Sequence, residues 1–167
     1  MIYIVRHGET DWNTLKKLTG QTDISLNLNG INQANNVKEE LKDIKFDYDF
    51  SSPLKRAYDT AKIITNEEII VDDRLMERYN GLLEGKTKSE LDLLDKNDPK
   101  YNVERTESLH ERAESFINDL KKYKGNILIV THAGISINLR ILLEGDTNDI
   151  SKYRMKNCEV VRINNEW

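Results

Sequence analysis

Two of the three histidines in the chain each follow a short apolar segment. His7 comes after residues 3–5 and Arg6, and His132 comes after residues 127–130 and Thr131. Short runs rich in Val and Ile are typical of buried strands. Ligands of open α/β sheets bind beyond the carboxyl ends of the strands. The two segments therefore predict that both histidines face one ligand-binding crevice.

Two arginines accompany these histidines. Arg6 precedes His7, and Arg56 is predicted to lie just inside the helix after the second strand. The planar, permanently charged guanidinium suits phosphate oxygens, and a neutral imidazole can attack phosphorus to form a covalent intermediate. The arginines and the second histidine would stabilise charge on the transferred group. The four residues predict a phosphoryl-transfer site. The leaving group also needs a carboxylic acid, which spacing alone does not select.

The elements that must position these residues alternate between strands and helices. Strands are predicted at residues 3–5, 47–50, 69–71, 127–130 and 160–163. Apolar residues at helical spacing predict four amphipathic helices, with stripes formed by Ile31, Ala34, Val37 and Leu41, by Leu54, Ala57, Tyr58, Ala61 and Ile64, by Leu109, Ala113, Phe116, Ile117 and Leu120, and by Ile135, Leu139, Leu142 and Leu143. A short helix is expected near residues 89–94. Residues 51–53, Ser-Ser-Pro, predict a serine cap with proline in the first turn of the second amphipathic helix.

This alternation predicts an α/β fold, a three-layer sandwich in which a mostly parallel central sheet carries helices on both faces. The length of 167 residues favours a single domain that covers residues 1–167.

The composition argues against several classes of protein. Hydrophobic residues make up 38% of the chain and charged residues 32%, and the formal net charge is -4, so neither a nucleic-acid surface nor a membrane surface is expected. No apolar run is long enough to span a membrane, and residues 2–5 are too few for an export signal. The single cysteine, Cys158, is expected to be a buried residue of the last strand, and a cytoplasmic location is predicted. His110 is expected to be a solvated helix residue.

Five motifs follow one another along the chain. The first is residues 6–13, Arg-His-Gly-Glu-Thr-Asp-Trp-Asn, followed by Gly20, Asp23, Leu26, Gly30 and Gln33 with Ala34. The others are residues 51–57 with Thr60 and Ala61, residues 75–77 with Gly81, Glu84 and Gly85, Glu107 and Ser108 with Arg112, and residues 131–134. In this order the motifs resemble those of the histidine phosphatase (phosphoglycerate mutase-like) family, small phosphatase branch. The resemblance runs from Met1 to about Val161.

The resemblance implies a role for each matching residue. His7 is implied as the nucleophile that becomes phosphohistidine, and Glu77 as the general acid that later activates water. Arg6, Asn13, Arg56 and His132 are implied to hold the phosphoryl group. Many members have glycine where Ala133 stands; if that position contributes a backbone N–H to the phosphate, alanine can still supply it. No metal or cofactor is implied. Residues 17–20, Lys-Leu-Thr-Gly, depart from the Arg-x-Gln-Gly of many members, which puts substrate contacts from this loop in question.

The expected function is hydrolysis of a small phosphomonoester through phosphohistidine. Mutases of the family carry a longer insertion between the third and last motifs, whereas only residues 78–131 separate them here, so a phosphatase is favoured over a mutase. A phosphate-binding protein without catalysis is a third alternative. Residues 81–87 resemble a P-loop with one residue too few between the glycines, which argues against a nucleotide hydrolase. A small phosphorylated substrate is the only partner predicted, and the oligomeric state is not predicted.

Overall fold

A five-stranded sheet forms the centre of the protein, in a computed structural model that describes residues 1–145 and 149–164. The strands are β1 (Ile2–Arg6), β2 (Tyr48–Ser51), β3 (Ile69–Val71), β4 (Ile127–Thr131) and β5 (Val160–Ile163). Their order across the sheet is β3-β2-β4-β1-β5. The first four are parallel, and β5 pairs antiparallel with β1. The predicted mostly parallel sheet is confirmed.

Helices cover both faces of this sheet. They are α1 (Asp11–Thr14), α2 (Leu28–Leu41), α3 (Lys55–Ile64), α4 (Lys88–Leu91), α5 (Thr106–Leu120) and α6 (Ala133–Glu144). Short 3-10 helices lie at Asp73–Leu75, Gly81–Leu83, Pro99–Tyr101 and Ile150–Tyr153. Helices α2 and α3 pack on one face, and α5 and α6 pack on the other. The three-layer α/β class is therefore confirmed.

The alternation of side chains in β4 builds both halves of the core. All five of its residues are buried; Ile127 and Ile129 pack toward α5 and α6, while Leu128 and Val130 pack toward α2 and α3. A strand covered on both faces needs an unbroken apolar sequence, because successive side chains point to opposite sides. This packing holds the carboxyl end of β4, and hence His132, at a fixed place beside β1.

Two predicted helix details are wrong. The helix after β2 does not begin at Ser51–Pro53: Ser51 ends β2, Leu54 precedes the first turn of α3, and no side chain caps that helix. Ile31 is 40% exposed, so the buried stripe of α2 starts at Gly30 instead. Gly30 can take this place because its backbone lies against that of Gly8 and Glu9, where a side chain would collide.

Two single-residue expectations are also corrected. Cys158 lies in a turn before β5, is half-buried, and has a positive φ of 54°. Burial raises the pKa of its thiol to about 12, so it is a weak nucleophile. His110 is half-buried rather than solvated, and its Nδ1 lies 3.2 Å from Oδ1 of Asn138 on α6.

We propose that residues 1–167 form a single domain. The strands from the two ends of the chain, β1 and β5, pair with each other in the one sheet, and both core clusters include β1 and β4. Within residues 1–145 and 149–164, no helix is both long and apolar enough to span a membrane.

Candidate active site

His7 and His132 lie next to each other, as their positions after two strands predict. β1 and β4 pair in parallel register, with Arg6 opposite Thr131, so the following histidine of each strand emerges at the same edge of the sheet. The two imidazole centroids are 5.1 Å apart and the rings are inclined by 56°. The fold therefore brings together two histidines that are 125 positions apart in the chain, from residue 7 to residue 132.

The hydrogen bonds of His7 show that its Nε2 carries no proton. Nδ1 lies 2.7 Å from the carbonyl oxygen of Gly8, which only accepts, so the ring proton is assigned to Nδ1. Nε2 in turn accepts from Nε of Arg56 at 3.3 Å. Burial, followed by the positive charges of Arg56 and Arg6, lowers the pKa of His7 well below its usual value. His7 is consequently a neutral imidazole whose Nε2 can act as a nucleophile.

Arg56 is the second residue of α3 and is almost completely buried, with 1% exposure. Its guanidinium donates to the carbonyl oxygens of Thr22 at 2.9 Å and Gly20 at 2.6 Å, which hold it beside His7. Burial lowers its pKa to about 10, an effect that the negative charge of Glu77 opposes. Arg56 therefore remains a cation at neutral pH.

Arg6 supplies a second guanidinium at the end of β1. Its Nη1 donates to the carbonyl oxygen of Met155 at 2.8 Å, whereas its buried Nε has no hydrogen-bond partner among the described residues. Burial lowers the pKa of Arg6, and Glu77 opposes this shift. A buried donor without a partner is costly, and a phosphoryl oxygen is the kind of acceptor that it lacks.

His132 is fully buried behind the wall of the cavity. Its Nε2 lies 2.8 Å from Oγ of Ser52, and its Nδ1 has no hydrogen-bond partner within the described chain. Burial is the largest cause that lowers the pKa of His132 well below its usual value, and Arg56 is the next. The ring is therefore neutral and carries one proton.

Glu77 lies against the first turn of α6. Its carboxylate accepts backbone N–H groups from Arg78 at 2.8 Å, Gly134 at 2.9 Å and Ile135 at 3.2 Å. Gly134 permits this approach, because a Cβ at that position would collide with Oε1 of Glu77. The amino end of a helix favours a negative charge, so the loop and the helix together hold the carboxylate at the cavity.

Arg112 fixes the backbone that carries Glu77. It donates to the carbonyl oxygens of residues 74, 76 and 77 at 2.7, 2.6 and 3.1 Å, and it forms an ion pair with Glu104 at 2.7 Å. Arg112 belongs to one of the five sequence motifs, but the family resemblance implies no role for it. Its spacing indicates only a helical position, because the three carbonyl groups that it binds lie 35 or more residues away along the chain.

Two residues of the segment before β5 also reach the site, and the sequence predicts neither of them as a site residue. Nδ2 of Asn157 donates to the carbonyl oxygen of His7 at 3.0 Å and to Oδ1 of Asn13 at 3.2 Å. Arg154 is exposed and lines the cavity. No motif or periodicity marks this segment, so sequence spacing offered no signal for them.

A cavity of about 670 Å³ opens over these residues. Its lining includes Arg6, His7, Asn13, Arg56, Glu77 and Ala133, which are six of the seven predicted site residues; His132 lies behind them. Seven basic side chains and one acidic side chain line it: Arg6, Lys16, Lys17, Arg56, Arg78, Lys88 and Arg154, against Glu77. In the described parts of the chain, no group of three or more His, Cys, Asp or Glu residues is arranged to hold a metal ion.

Comparison with known proteins identifies the family. The sequence profile described as "Histidine phosphatase superfamily (branch 1)" matches residues 2–166. The chain belongs to the histidine phosphatase superfamily. This histidine phosphatase is 34% identical to the uncharacterized phosphatase PhoE of Bacillus subtilis, over 94% of the chain and 84% of the relative. It is 32% identical to phosphoglycerate mutase-like protein 4 of Arabidopsis thaliana, over 97% of the chain and 79% of the relative.

A solved structure shows the same architecture. The phosphoserine phosphatase of Entamoeba histolytica, in complex with 3-phosphoglyceric acid, superposes with a TM-score of 0.81 at 29% identity, covering 95% of this chain and 87% of that one. The predicted family resemblance and the prediction of a phosphatase enzyme are confirmed. The roles of individual residues of this histidine phosphatase stay predictions.

Proposed function

We propose that this histidine phosphatase hydrolyses a small phosphomonoester through a covalent phosphohistidine at His7. One observation carries the proposal: Nδ1 of His7 donates to the carbonyl oxygen of Gly8, so Nε2 beside the cavity is unprotonated and accepts only from Nε of Arg56. A neutral nitrogen with a fixed tautomer between two cations is the arrangement that attack on a phosphate dianion requires.

The first step transfers the phosphoryl group to the enzyme. Nε2 of His7 attacks phosphorus, and the N–P bond forms as the P–O bond to the leaving group breaks. The carboxyl group of Glu77 donates its proton to the leaving oxygen, so the alcohol departs neutral. Arg6, Arg56 and the N–H of His132 stabilise the equatorial oxygens, with Asn13 and the backbone N–H of Ala133 as further donors.

The second step returns the enzyme to its starting form. The Glu77 carboxylate accepts a proton from water while the water oxygen attacks phosphorus. The N–P bond breaks, its electron pair returns to Nε2 of His7, and inorganic phosphate leaves. Proton and charge therefore balance between His7 and Glu77 over one turnover, with no metal or cofactor in either step.

The size and charge of the cavity support a small anionic substrate. Its volume of about 670 Å³ lies within the range of small-molecule sites, and its basic lining attracts phosphate. The related Entamoeba histolytica enzyme is described with 3-phosphoglyceric acid, a small phosphorylated molecule. A cytoplasmic location and the absence of nucleic-acid and membrane partners stay predictions.

Phosphoglycerate mutase activity is the second candidate, because one relative at 32% identity is named phosphoglycerate mutase-like. The structure of residues 78–105 favours hydrolysis instead. This segment over the cavity contains two 3-10 helices and the four-residue α4, with no long helix to exclude water. Conversion between 3- and 2-phosphoglycerate measures the mutase reaction directly; isomerisation faster than phosphate release would overturn the phosphatase proposal.

The decisive experiment is hydrolysis of p-nitrophenyl phosphate in the presence of a metal chelator. Wild type, His7→Ala and His110→Ala are compared, and each is quenched in base during turnover to detect a phosphohistidine by mass spectrometry. Loss of a nucleophile reduces kcat by about 10⁴-fold or more. We expect that loss only in His7→Ala, and an additional phosphate mass on the peptide that contains His7 in the other two.

His110 is the matched control because it is a half-buried histidine whose ring bonds to Asn138 on α6. Equal turnover by wild type and His7→Ala would contradict the proposal. Tight phosphate binding without turnover of any phosphomonoester would instead identify a binding protein.

A further inference from the structure

Ser52, which belongs to the second motif but has no implied role at the site, contacts the buried imidazole of His132. Its Oγ lies 2.8 Å from Nε2 of His132, and Ser52 is fully buried. Ser52 follows β2 and His132 follows β4, and the backbone N–H of Ser52 donates to the carbonyl oxygen of Val130 at 3.1 Å. The two side chains are therefore fixed relative to each other by adjacent strands.

The direction of this hydrogen bond follows from the other partner of Ser52. The backbone N–H of Leu54 donates to Oγ at 3.3 Å, which uses a lone pair of the hydroxyl group and leaves its proton free. Among the hydrogen bonds of the described residues, Nε2 of His132 is the sole position where that proton can be accepted. If Nε2 were the donor, the buried hydroxyl proton would have no acceptor, at a cost of about 1–3 kcal/mol.

A hydroxyl group that donates to Nε2 determines where the imidazole carries its proton. Because the neutral ring has one N–H group, that group must then be at Nδ1. Nδ1 is the ring nitrogen that is buried without a partner in the described structure. It is thus the donor that an oxygen of a phosphoryl group on His7 would satisfy, at a ring separation of 5.1 Å.

We propose that Ser52 is a positioning residue that holds His132 in the Nδ1–H tautomer, so that His132 donates to the phosphoryl group. The functional half of this proposal rests on the proposed function, whereas the tautomer itself does not. In the opposite tautomer, Nδ1 would present a lone pair to a negatively charged oxygen. The contact would then be repulsive at the point where the phosphoryl charge must be stabilised.

The tautomer is measured by long-range ¹H–¹⁵N NMR of histidine-labelled protein, with the signal of His132 assigned from its loss in His132→Gln. We expect the wild-type ring to show a protonated Nδ1 and an unprotonated Nε2 at neutral pH. In Ser52→Ala we expect the proton to move to Nε2 or to distribute between both nitrogens. A wild-type ring protonated at Nε2 would overturn the proposal without any variant and without any assay of activity.

Ser51→Ala is the matched control. Ser51 is equally buried and adjacent, but its Oγ donates to the carbonyl oxygen of Ser52 at 2.9 Å and not to a histidine. It should leave the tautomer unchanged. An Nδ1–H tautomer that persists in Ser52→Ala would show that Ser52 does not set it, and the proposal would then fail.

The second test measures kcat and the affinity for vanadate. Removal of one donor from an oxyanion site reduces kcat by about 10²- to 10³-fold, and a loss on the order of 10- to 100-fold is expected where the ring still carries its proton at Nδ1 part of the time. Ser52→Ala should therefore lose about that factor in kcat and bind vanadate more weakly, while Ser52→Thr, which keeps the hydroxyl group, should recover both. If wild type shows the expected tautomer but has no phosphatase activity, the proposed function fails while the role of Ser52 in the tautomer stands.

Discussion

Glu77 is held by three backbone N–H groups, two of them at the amino end of α6. An amide can keep part of this arrangement, because its oxygen still accepts these bonds. It cannot donate the proton that a poor leaving group needs. An amide at this position therefore removes the proton donor while it keeps part of the hydrogen bonding that positions the side chain.

We predict that Glu77→Gln distinguishes substrates by their leaving groups. Hydrolysis of an alkyl phosphate should fall by about 10²- to 10⁴-fold, the usual contribution of a general acid. Release of p-nitrophenolate in a single turnover should fall much less, because this anion leaves without a proton. Rapid-quench kinetics on both substrates measure the difference, with the exposed Glu111→Gln as control. Equal losses in the two phosphorylation steps would mean that Glu77 is not the acid.

The buried histidines predict how stability depends on pH. The pKa values of His7 and His132 are lowered in the folded protein, so the unfolded chain binds more protons as the pH falls through about 6.5. The free energy of unfolding should therefore keep its full value above that pH and should decrease below it. Each histidine contributes at most about 1.4 kcal/mol per pH unit.

Urea unfolding between pH 7.5 and 5 tests this prediction. His132→Gln should reduce the slope of the free energy of unfolding against pH relative to wild type. A slope that is the same in wild type and His132→Gln would contradict a neutral, buried His132.

At the scale of elements, β2 carries a carboxylate into the core. Asp49 is 2% exposed, and neither of its carboxylate oxygens has a hydrogen bond of ordinary length in the described structure. Burial raises the pKa of Asp49; the nearby Thr65 hydroxyl opposes this shift, and the negative charge of Glu67 adds to it. The strand therefore tolerates a charge that its surroundings disfavour.

We predict that Asp49→Asn stabilises the protein at neutral pH. A carboxyl group whose pKa is raised on folding makes the folded protein less stable as the pH rises through the ordinary pKa of 3.8. The variant removes this loss. Its free energy of unfolding should therefore equal that of wild type below that pH and exceed it by on the order of 1 kcal/mol at pH 7, a typical scale for one substitution. Chemical unfolding at several pH values measures it, with the exposed Asp43→Asn as control. A variant less stable than wild type at pH 7 would show that the charge is stabilised.

The elements also show why local patterns can mislead. The serine cap predicted for α3 is absent because Leu54 occupies the cap position, and the hydroxyl of Ser52 instead contacts His132, 80 positions away. The stripe of α2 starts at Gly30 rather than Ile31 because the backbones of Gly8 and Gly30 pack together, a contact that no apolar pattern reveals. The five strands lie within a residue or two of their predicted positions, because buried strands need local runs of apolar side chains.

At the scale of the whole molecule, the distribution of charge differs from the net charge. The chain carries a formal charge of -4, yet seven basic side chains and one acidic side chain line the cavity. Mutual repulsion among these cations lowers the stability of the protein, and an oxyanion relieves it. This arrangement makes the empty site less stable than the occupied one.

We predict that phosphate or vanadate stabilises the folded protein. A ligand at 100 times its Kd contributes about 2.7 kcal/mol, which corresponds to roughly 5–10 °C in Tm for a chain of this size. Arg56→Met should abolish the shift, while the exposed Arg105→Met should keep it. Thermal unfolding at constant ionic strength, with chloride as the reference anion, measures the effect. A shift of equal size with chloride would indicate general screening and would contradict a specific site.

The sequence by itself determined the α/β class, the strands that deliver His7 and His132, and the family, since each depends on local apolar runs and ordered motifs. Tertiary structure alone decided the long-range hydrogen bonds and the burial of the site. Arg6 bonds to a carbonyl 149 positions away, Asn157 reaches His7 across 150, and Gly134 meets Glu77 across 57. Burial keeps both histidines neutral, because desolvation depends on what surrounds a group in space and not on its neighbours in the chain.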